Sequence, residues 1–584
     1  MNRLNKIKDD SDLKKMLDEL KDQIFAQKTV VSENMELFFS NKPKYVVFLS
    51  FSDGNSRAYV TKGIGNSVEV SWKNAVDLMK KKIKETEINP IWIKADIVRK
   101  IKAYQYQEFI RYISEIKINY FREGISLDNM FNISFLEQEV NSNVFIYDVK
   151  DSYQKKKHLV WKNINYYLKR NTGNKYQFDE NSIAYIYTFT TLGFFHDGMK
   201  CYPLCSEGHE VGRRSIEKVD EALLRDIISN ASNFLSNQID ETGKFCYGYF
   251  PCFDKIVPHY NILRHASTTY SMLEAYEFNK DPKLKDSIKR ALEYLMNEGI
   301  ELFKDDDENN IAFVIERLEK GDAEIKLGAN AAAILAFAKY TRVFHDEKYI
   351  PIMQNLAEGI RFCQDDQEGS FVHILNVPDL SVKEKYRIIY YDGEAAFALM
   401  RLYDIDKNER WINTVEKAFE HFIKNDYWKH SDHWLSYCSY ELMKYKPEQR
   451  NIAFNLRNAS GILDFCLTRE TTYPTLLELL MATYCMIDKL KRENVFLETL
   501  ESFDYSKFID AIEHRVKHQL NGLFFPEVAM YFKAPGKILW SFFIRHHSFR
   551  ARIDDNEHNI SGYCSYLHNR LKANEIPIGG DNGN

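Results

Sequence analysis

The stretch DGEAAFALMRLYDIDKNERWINTVEKAFEHFI, Asp392–Ile423, joins two helices of different character. The first is built from Ala395, Ala396 and Ala398 around Phe397, Leu399 and Met400, and it runs into an aromatic, Tyr403. A polar turn follows, and then an amphipathic helix with charge on one side. Small residues let a neighbouring helix approach closely, while charge suits an outer, wetted layer. The same pattern starts at Arg264 (RHASTTYSMLEAYEFNKDPKLKDSIKRALEYLM) and at Gly328 (GANAAAILAFAKYTRVFHDEKYIPIMQNLAEGIRF). The marker tyrosines Tyr276, Tyr340 and Tyr403 recur at steps of 64 and 63 residues, one helical hairpin plus a variable loop per step.

Three further inner-type helices are legible in DHWLSYCSYELMKY (432–445), ETTYPTLLELLMATYCMI (470–487) and DDNEHNISGYCSYLHNRL (554–571). Six inner helices, each with an outer partner, close into an (α/α)6 toroid. The expected fold is mostly α, a C-terminal (α/α)6 toroid with a smaller N-terminal α+β domain.

On these repeats the chain resembles the six-hairpin (α/α)6-barrel superfamily over roughly residues 185–575. Its members include glycoside hydrolases, unsaturated-uronide hydrolases, polysaccharide lyases, N-acylglucosamine-type epimerases and the helical domain of glucuronyl C5-epimerases. The resemblance implies a sugar-active toroid and leaves the reaction open.

Upstream, YVVFLSFSDG (45–54) and RAYVTKGIG (57–65) give a hairpin signal. SVEVSWKNAVDLMKKKIKE (67–85) moves to helical spacing and PIWIKADIV (90–98) reads as a strand. In 134–148, Glu137, Glu139, Asn141 and Asn143 lie between apolar residues, which fits a capped helix leading into a strand or a polar site. The expected domains are a helical lead segment at 1–40, an α+β domain at 41–184, the barrel at 185–575 and a disordered tail at 576–584.

Hydrophobic residues make up 45% of the 584 and aromatics 14%, so the bulk of the chain has a core to bury. A net charge of -5 gives no bulk attraction to nucleic acid or anionic membranes. The charged start and the absence of a long apolar run argue for a cytoplasmic protein. Nine cysteines, irregularly spaced, argue against a secreted disulfide framework. Cys201, Cys205 and His209 invite zinc, yet Pro203 and Gly208 interrupt a simple helix and no C-x-x-C is present. No metal and no cofactor are expected. The expected partner is a carbohydrate or sugar-derived small molecule, with no nucleic acid and no membrane, and a homodimer is left open.

A toroid brings the leading ends of its inner helices to one mouth. The polar residues ahead of these helices are then candidates despite their wide separation in sequence. Asp392 and Asp432 are the expected acid/base pair, with Glu394 and His433 beside them. Glycosidic cleavage needs two carboxyl groups, one to protonate the leaving oxygen and one as base or nucleophile. Arg264, His265, Asn330, Tyr391, Trp434, Glu470, Asp555 and His558 are the expected substrate-binding residues. Epimerisation would instead use the histidines for proton exchange and an arginine to hold the sugar. The competing explanations are ordinary N-caps for the acids, core packing for the aromatics and histidines, and a toroid that binds without catalysing. Glycosidic hydrolysis in a small or acidic oligosaccharide is the first expectation and sugar epimerisation the second.

Overall fold

β-Branched and aromatic residues dominate YVVFLSFS, and this run forms β1 (Tyr45–Ser52), every residue of which is buried. The computed structural model describes residues 10–28, 44–149, 156–305, 307–318 and 321–571. The expected tail at 576–584 lies outside them. The chain divides into two units. The first comprises residues 1–218, 249–256 and 521–551; the second comprises 219–248, 257–520 and 552–584.

In the first unit, β1 pairs with β2 (Tyr59–Gly65) as the expected hairpin and with β3 (Trp92–Gln105) on its other edge. β4 (Gly124–Ser126), β5 (Ser134–Phe135), β8 (Tyr185–His196) and β9 (Cys201–Pro203) complete an antiparallel sheet ordered β2-β1-β3-β8-β4-β5, with β9 also on β8. β6 (Ile146–Asp148) and β7 (Lys157–Leu159) form a separate pair. The lead helix α1 (Asp10–Ala26) buries Met16, Leu17, Leu20 and Ile24 in the same core as β1 and α2 (Val68–Thr86). Three further helices follow in this unit, α3 (Tyr106–Glu115), α4 (Glu137–Ser142) and α5 (Trp161–Thr172).

The domain limits differ from those expected. YIYTFTTLGFFH, which the sequence expectation assigned to the barrel, is β8, and it pairs with β3 from Tyr185 opposite Gln105 to His196 opposite Ile93. Residues 521–551 also belong to this unit. Their Tyr531 hydroxyl donates to Ser50 Oγ at 2.7 Å, and Glu527 holds Arg214 through both carboxylate oxygens. Gly522, Pro526, Pro535 and Gly536 interrupt the helical texture here, but no local pattern says which unit the stretch joins.

The second unit begins with α6 (Glu221–Ser236). Its inner helices are α7 (Ile262–Asn279), α9 (Leu327–Phe344), α11 (Tyr390–Asp406), α13 (His433–Met443), α15 (Thr475–Glu493) and α17 (Ile553–Tyr566). Each packs on the next, and α17 packs on α7, so the ring closes. The outer helices α8 (Pro282–Tyr294), α10 (Ile350–Phe362), α12 (Glu409–Lys424), α14 (Gln449–Ser460) and α16 (Tyr505–His518) each follow an inner one. α6, from the start of the unit, packs on both α17 and α7 and supplies the sixth outer position. The fold is the toroid the repeats implied. An antiparallel sheet of β10 (Ile300–Lys304), β11 (Asn310–Arg317), β12 (Ala323–Lys326), β13 (Ile374–Asn376) and β14 (Val382–Glu384) leads into α9 and α11.

Gly393 shows why the inner helices are rich in small residues. A Cβ there would lie 2.6 Å from Asp432 Oδ2, 2.8 Å from Trp434 Cβ and 2.9 Å from the backbone nitrogen of Leu435. Gly393→Ala is expected to destabilise the chain by about 1–3 kcal/mol, the usual cost of overpacking. Chemical denaturation of the variant against the parent measures it.

Candidate active site

The inner helices deliver their first two turns to one another. Arg264 Nε of α7 faces Asp554 Oδ2 of α17 at 3.6 Å, and Ser267 Oγ donates to Glu557 Oε2 at 2.7 Å. A Cβ on Gly328 of α9 would meet Glu394 Oε2 and the ring of Tyr391, both from α11. His433 of α13 packs edge-on against His558 of α17, with ring centres 5.3 Å apart. His558 Nδ1 lies 2.8 Å from Glu478 Oε2 of α15 and 3.5 Å from Glu557 Oε1. Arg552 joins Asp554 at 2.8 Å and Asp555 at 3.2 Å.

Burial sets the protonation of the carboxyl groups. It raises Glu557 to about 7, against the pull of His558 and Arg264, and Glu478 to about 8, against the pull of His433. Glu394 is raised well above the ordinary carboxylate range by burial, with Arg264 opposing and Asp432 and Glu557 adding to the rise. Its Oε2 has no hydrogen-bond partner among the described residues. Burial depresses His558 below the ordinary imidazole value. Arg264 is kept charged by Asp554, Glu557 and Glu394 although burial works against it.

The expected acid/base pair is held by other groups. Asp432 is fully buried and caps α13, accepting from Trp434 N at 3.3 Å and Leu435 N at 3.1 Å. Its Oδ1 is 3.2 Å from His433 Nδ1. Asp392 accepts from His373 Nε2 at 3.0 Å, and His373 Nδ1 in turn accepts from Arg387 N. Burial lifts Asp392 above its ordinary range, and His373 opposes the rise.

Several expected substrate ligands have their polar atoms engaged elsewhere. His265 donates from Nε2 to the Ala291 carbonyl at 2.8 Å, and its Nδ1 accepts from the Tyr260 hydroxyl at 2.6 Å. Burial pushes it down to about 4, so it is a neutral, satisfied core histidine. Asn330 brackets the backbone, accepting from Val314 N and donating to the carbonyls of Ala312 and Leu356. Trp434 is buried against Phe397, Tyr437 and His433. Glu470 lies in the loop before α15, where its backbone carbonyl accepts from His518. Tyr391 stacks obliquely on His373, and Asp555 accepts from Arg552 N at the start of α17.

The residues missed by sequence reasoning are Glu478, Glu557, His373 and Arg552. Glu478 interrupts the apolar run LLELLMATY, and Glu557 follows two acids that a cap would explain. For Glu478 the available signal is an acid set inside the apolar run of an inner helix.

His433, Glu478 and His558 form the one group of possible metal ligands found among the described residues, with their ligand atoms all within 4.8 Å of one another. Two imidazoles and a carboxylate suit zinc.

A scan against protein-family models returns no match, and a search of curated proteins returns none. Among solved structures, a D-mannose isomerase aligns with a TM-score of 0.45 at 11% identity, over 61% of this chain and 100% of its own. The cellobiose 2-epimerase of Bacillus thermoamylovorans B4167 gives 0.43 at 11%, over 59% and 99%. An unsaturated glucuronyl hydrolase specific for heparin gives 0.42 at 10%, over 61% and 99%. At these identities the likeness concerns the fold; the chemistry is read from this chain's own residues. No helix among the described residues is long and apolar enough to cross a membrane.

The raised carboxyl groups have a thermodynamic consequence. An acid whose folded pKa exceeds its unfolded one binds more protons in the fold, so stability falls as pH rises through that interval. Above pH about 6.5, an unfolded histidine is mostly neutral, as His558 already is in the fold. The remaining slope up to pH 8 then includes Glu478. Glu478→Gln is expected to lose less stability than the parent between pH 6.5 and 8, as read by denaturant titration at each pH.

Proposed function

We propose that the chain is a carbohydrate-active enzyme that moves a proton at a sugar carbon beside a carbonyl, an epimerase or aldose–ketose isomerase. The observation that supports it is the state of His433. Its Nδ1 is oriented by Asp432, while its Nε2 is buried with no partner among the described residues. An imidazole held at one nitrogen by a carboxylate presents a basic lone pair at the other.

In this reading His433 Nε2 removes the C–H proton from the open-chain sugar. The electron pair passes to the carbonyl oxygen, and the Arg264 guanidinium stabilises the resulting enolate. Glu557, raised to about 7, is able to protonate that oxygen at neutral pH and then, as the carboxylate, to take the proton of whichever enediol oxygen becomes the product carbonyl. Neutral His558 gives its Nε2 proton to carbon as its Nδ1 takes the proton of Glu478, which burial raises to about 8 and which lies 2.8 Å away. Delivery to the opposite face gives the epimer; delivery to the neighbouring carbon gives the isomer. Acids outnumber the arginines among the ring's leading residues, which favours a neutral sugar over an acidic one.

Glycosidic hydrolysis is the second reading. A Glu557 that is partly protonated near pH 7, on the same helix as Asp554 and beside Glu394, has the character a general acid requires.

Incubation with a panel of aldoses and disaccharides in D2O separates the two. Proton exchange predicts a stereoisomer or ketose carrying solvent deuterium on carbon. Hydrolysis predicts new reducing ends without it, and neither outcome overturns both readings. His433→Gln and His558→Gln are each expected to lower kcat by about 10²–10⁴. Asp432→Asn keeps a capping oxygen, so it is expected to lower kcat with little change in melting temperature. Zinc in the micromolar range is expected to inhibit by occupying His433, Glu478 and His558, with activity restored by EDTA in a rate assay.

A further inference from the structure

The first unit gathers unusual titratable groups around one cavity of about 360 Å³. Phe48, Phe135 and Leu168 give it an apolar wall. Lys62 of β2, Ser134 of β5, Glu139 of α4 and Tyr167 of α5 supply its polar side. Lys62 Nζ donates to Ser134 Oγ at 3.1 Å and to the Asn132 carbonyl, both neutral acceptors. Lys62 and Glu139 make no ion pair among the described residues. Glu139 is instead fixed by Leu136 N at 2.7 Å and by the Tyr167 hydroxyl.

Burial drives the two charges toward neutrality from opposite sides. It lowers Lys62 to about 8 and raises Glu139 to about 7. The Oδ1 of Asn171, another lining residue, is buried without a partner among the described residues. Lys81 and Lys82 also line the cavity and share Glu85, at 3.9 and 3.6 Å. The half-buried Lys62 ammonium has neutral hydrogen-bond acceptors and only the through-space pull of Glu139 and Asp128 to offset its partial desolvation, which leaves room for a further anion. Perturbed groups converging on a cavity of ligand size are the usual mark of a binding site.

We propose that this cavity binds a small organic anion. Its carboxylate or phosphate group lies on Lys62, which Ser134 positions while donating its own proton to the Phe131 carbonyl at 3.0 Å, and its body rests on Phe48, Phe135 and Leu168. Three lysines against Glu85 and Glu139 leave one positive charge in excess when all are ionised and two when Glu139 is protonated, which matches a carboxylate or a phosphate group. Glu139 and Tyr167 then meet a hydroxyl on the ligand body. The volume lies at the lower end of the small-molecule range, which suits a ligand of monosaccharide size.

Calorimetric titration of the full chain at pH 7 with inorganic phosphate, acetate and D-glucuronate tests this. At least one anion is expected to bind saturably with 1:1 stoichiometry. Phosphate alone identifies a phosphorylated ligand; acetate or glucuronate identifies a carboxylate. Lys62→Met is expected to weaken binding at least tenfold. Ser134→Ala, which keeps the lysine, is expected to weaken it severalfold and decides the matter if the first variant does not fold. Absence of saturation by all three anions up to about 10 mM, a weak limit of affinity, overturns the proposal. So does binding that persists unchanged in the variants.

Discussion

The contact between the last inner helix and the first is the constraint on which the mouth of the toroid depends. α17 and α7 are separated by most of the unit's sequence, yet Ser267 bonds Glu557 and Arg264 faces Asp554 across their junction. Without that closure, Arg264 would keep only Glu394 of its neighbouring acids to hold its charge in a half-buried position, and Glu557 would lose both its hydroxyl donor and a nearby cation. The closure is itself made possible by small residues. Ser267, Gly328 and Gly393 stand where a larger side chain would separate neighbouring helices.

The acids of the mouth all stand near the leading ends of their helices and differ in what offsets their burial. Asp392, Asp554 and Asp555 lie in the first turn of α11 and α17, where free backbone N–H groups and the helix dipole favour negative charge. Glu478 also lies in the first turn, of α15, and Glu394 and Glu557 lie two residues beyond Asp392 and Asp555. Burial raises all three, Glu557 to about 7, Glu478 to about 8 and Glu394 well above the ordinary carboxylate range. Such groups burden the stability of the ring, and the same property makes them proton donors under physiological conditions.

Much of this organisation is legible in the sequence. The recurrence of Tyr276, Tyr340 and Tyr403, and the contrast between Ala-rich and charged helices, locate all six inner helices before any coordinates. The hairpin of β1 and β2 is equally plain. The site is less legible, because a polar residue near a helix start is ambiguous between cap, core and ligand. His265 and Asn330 resolve to satisfied interior groups only when Tyr260, Ala291, Ala312 and Leu356 are brought beside them by folding. Glu478 and Glu557 are obscured for the opposite reason: each sits where helical periodicity alone suggests neither cap nor surface. The domain limits fail for a third reason, since no local pattern says which unit residues 521–551 join.

That excursion bears on how the molecule can be made. Residues 1–218 carry the whole seven-stranded sheet, but Phe48, Leu49 and Phe51 share a core with Met530 and Tyr531, and Ala58 N donates to the Met530 carbonyl. During synthesis the sheet therefore waits for a segment that emerges about 300 residues later. At usual elongation rates of ~5–20 residues per second, that delay is on the order of 15–60 s. Over that interval the nascent sheet would expose an uncovered part of its apolar core, a window in which a ribosome-associated chaperone has something to hold.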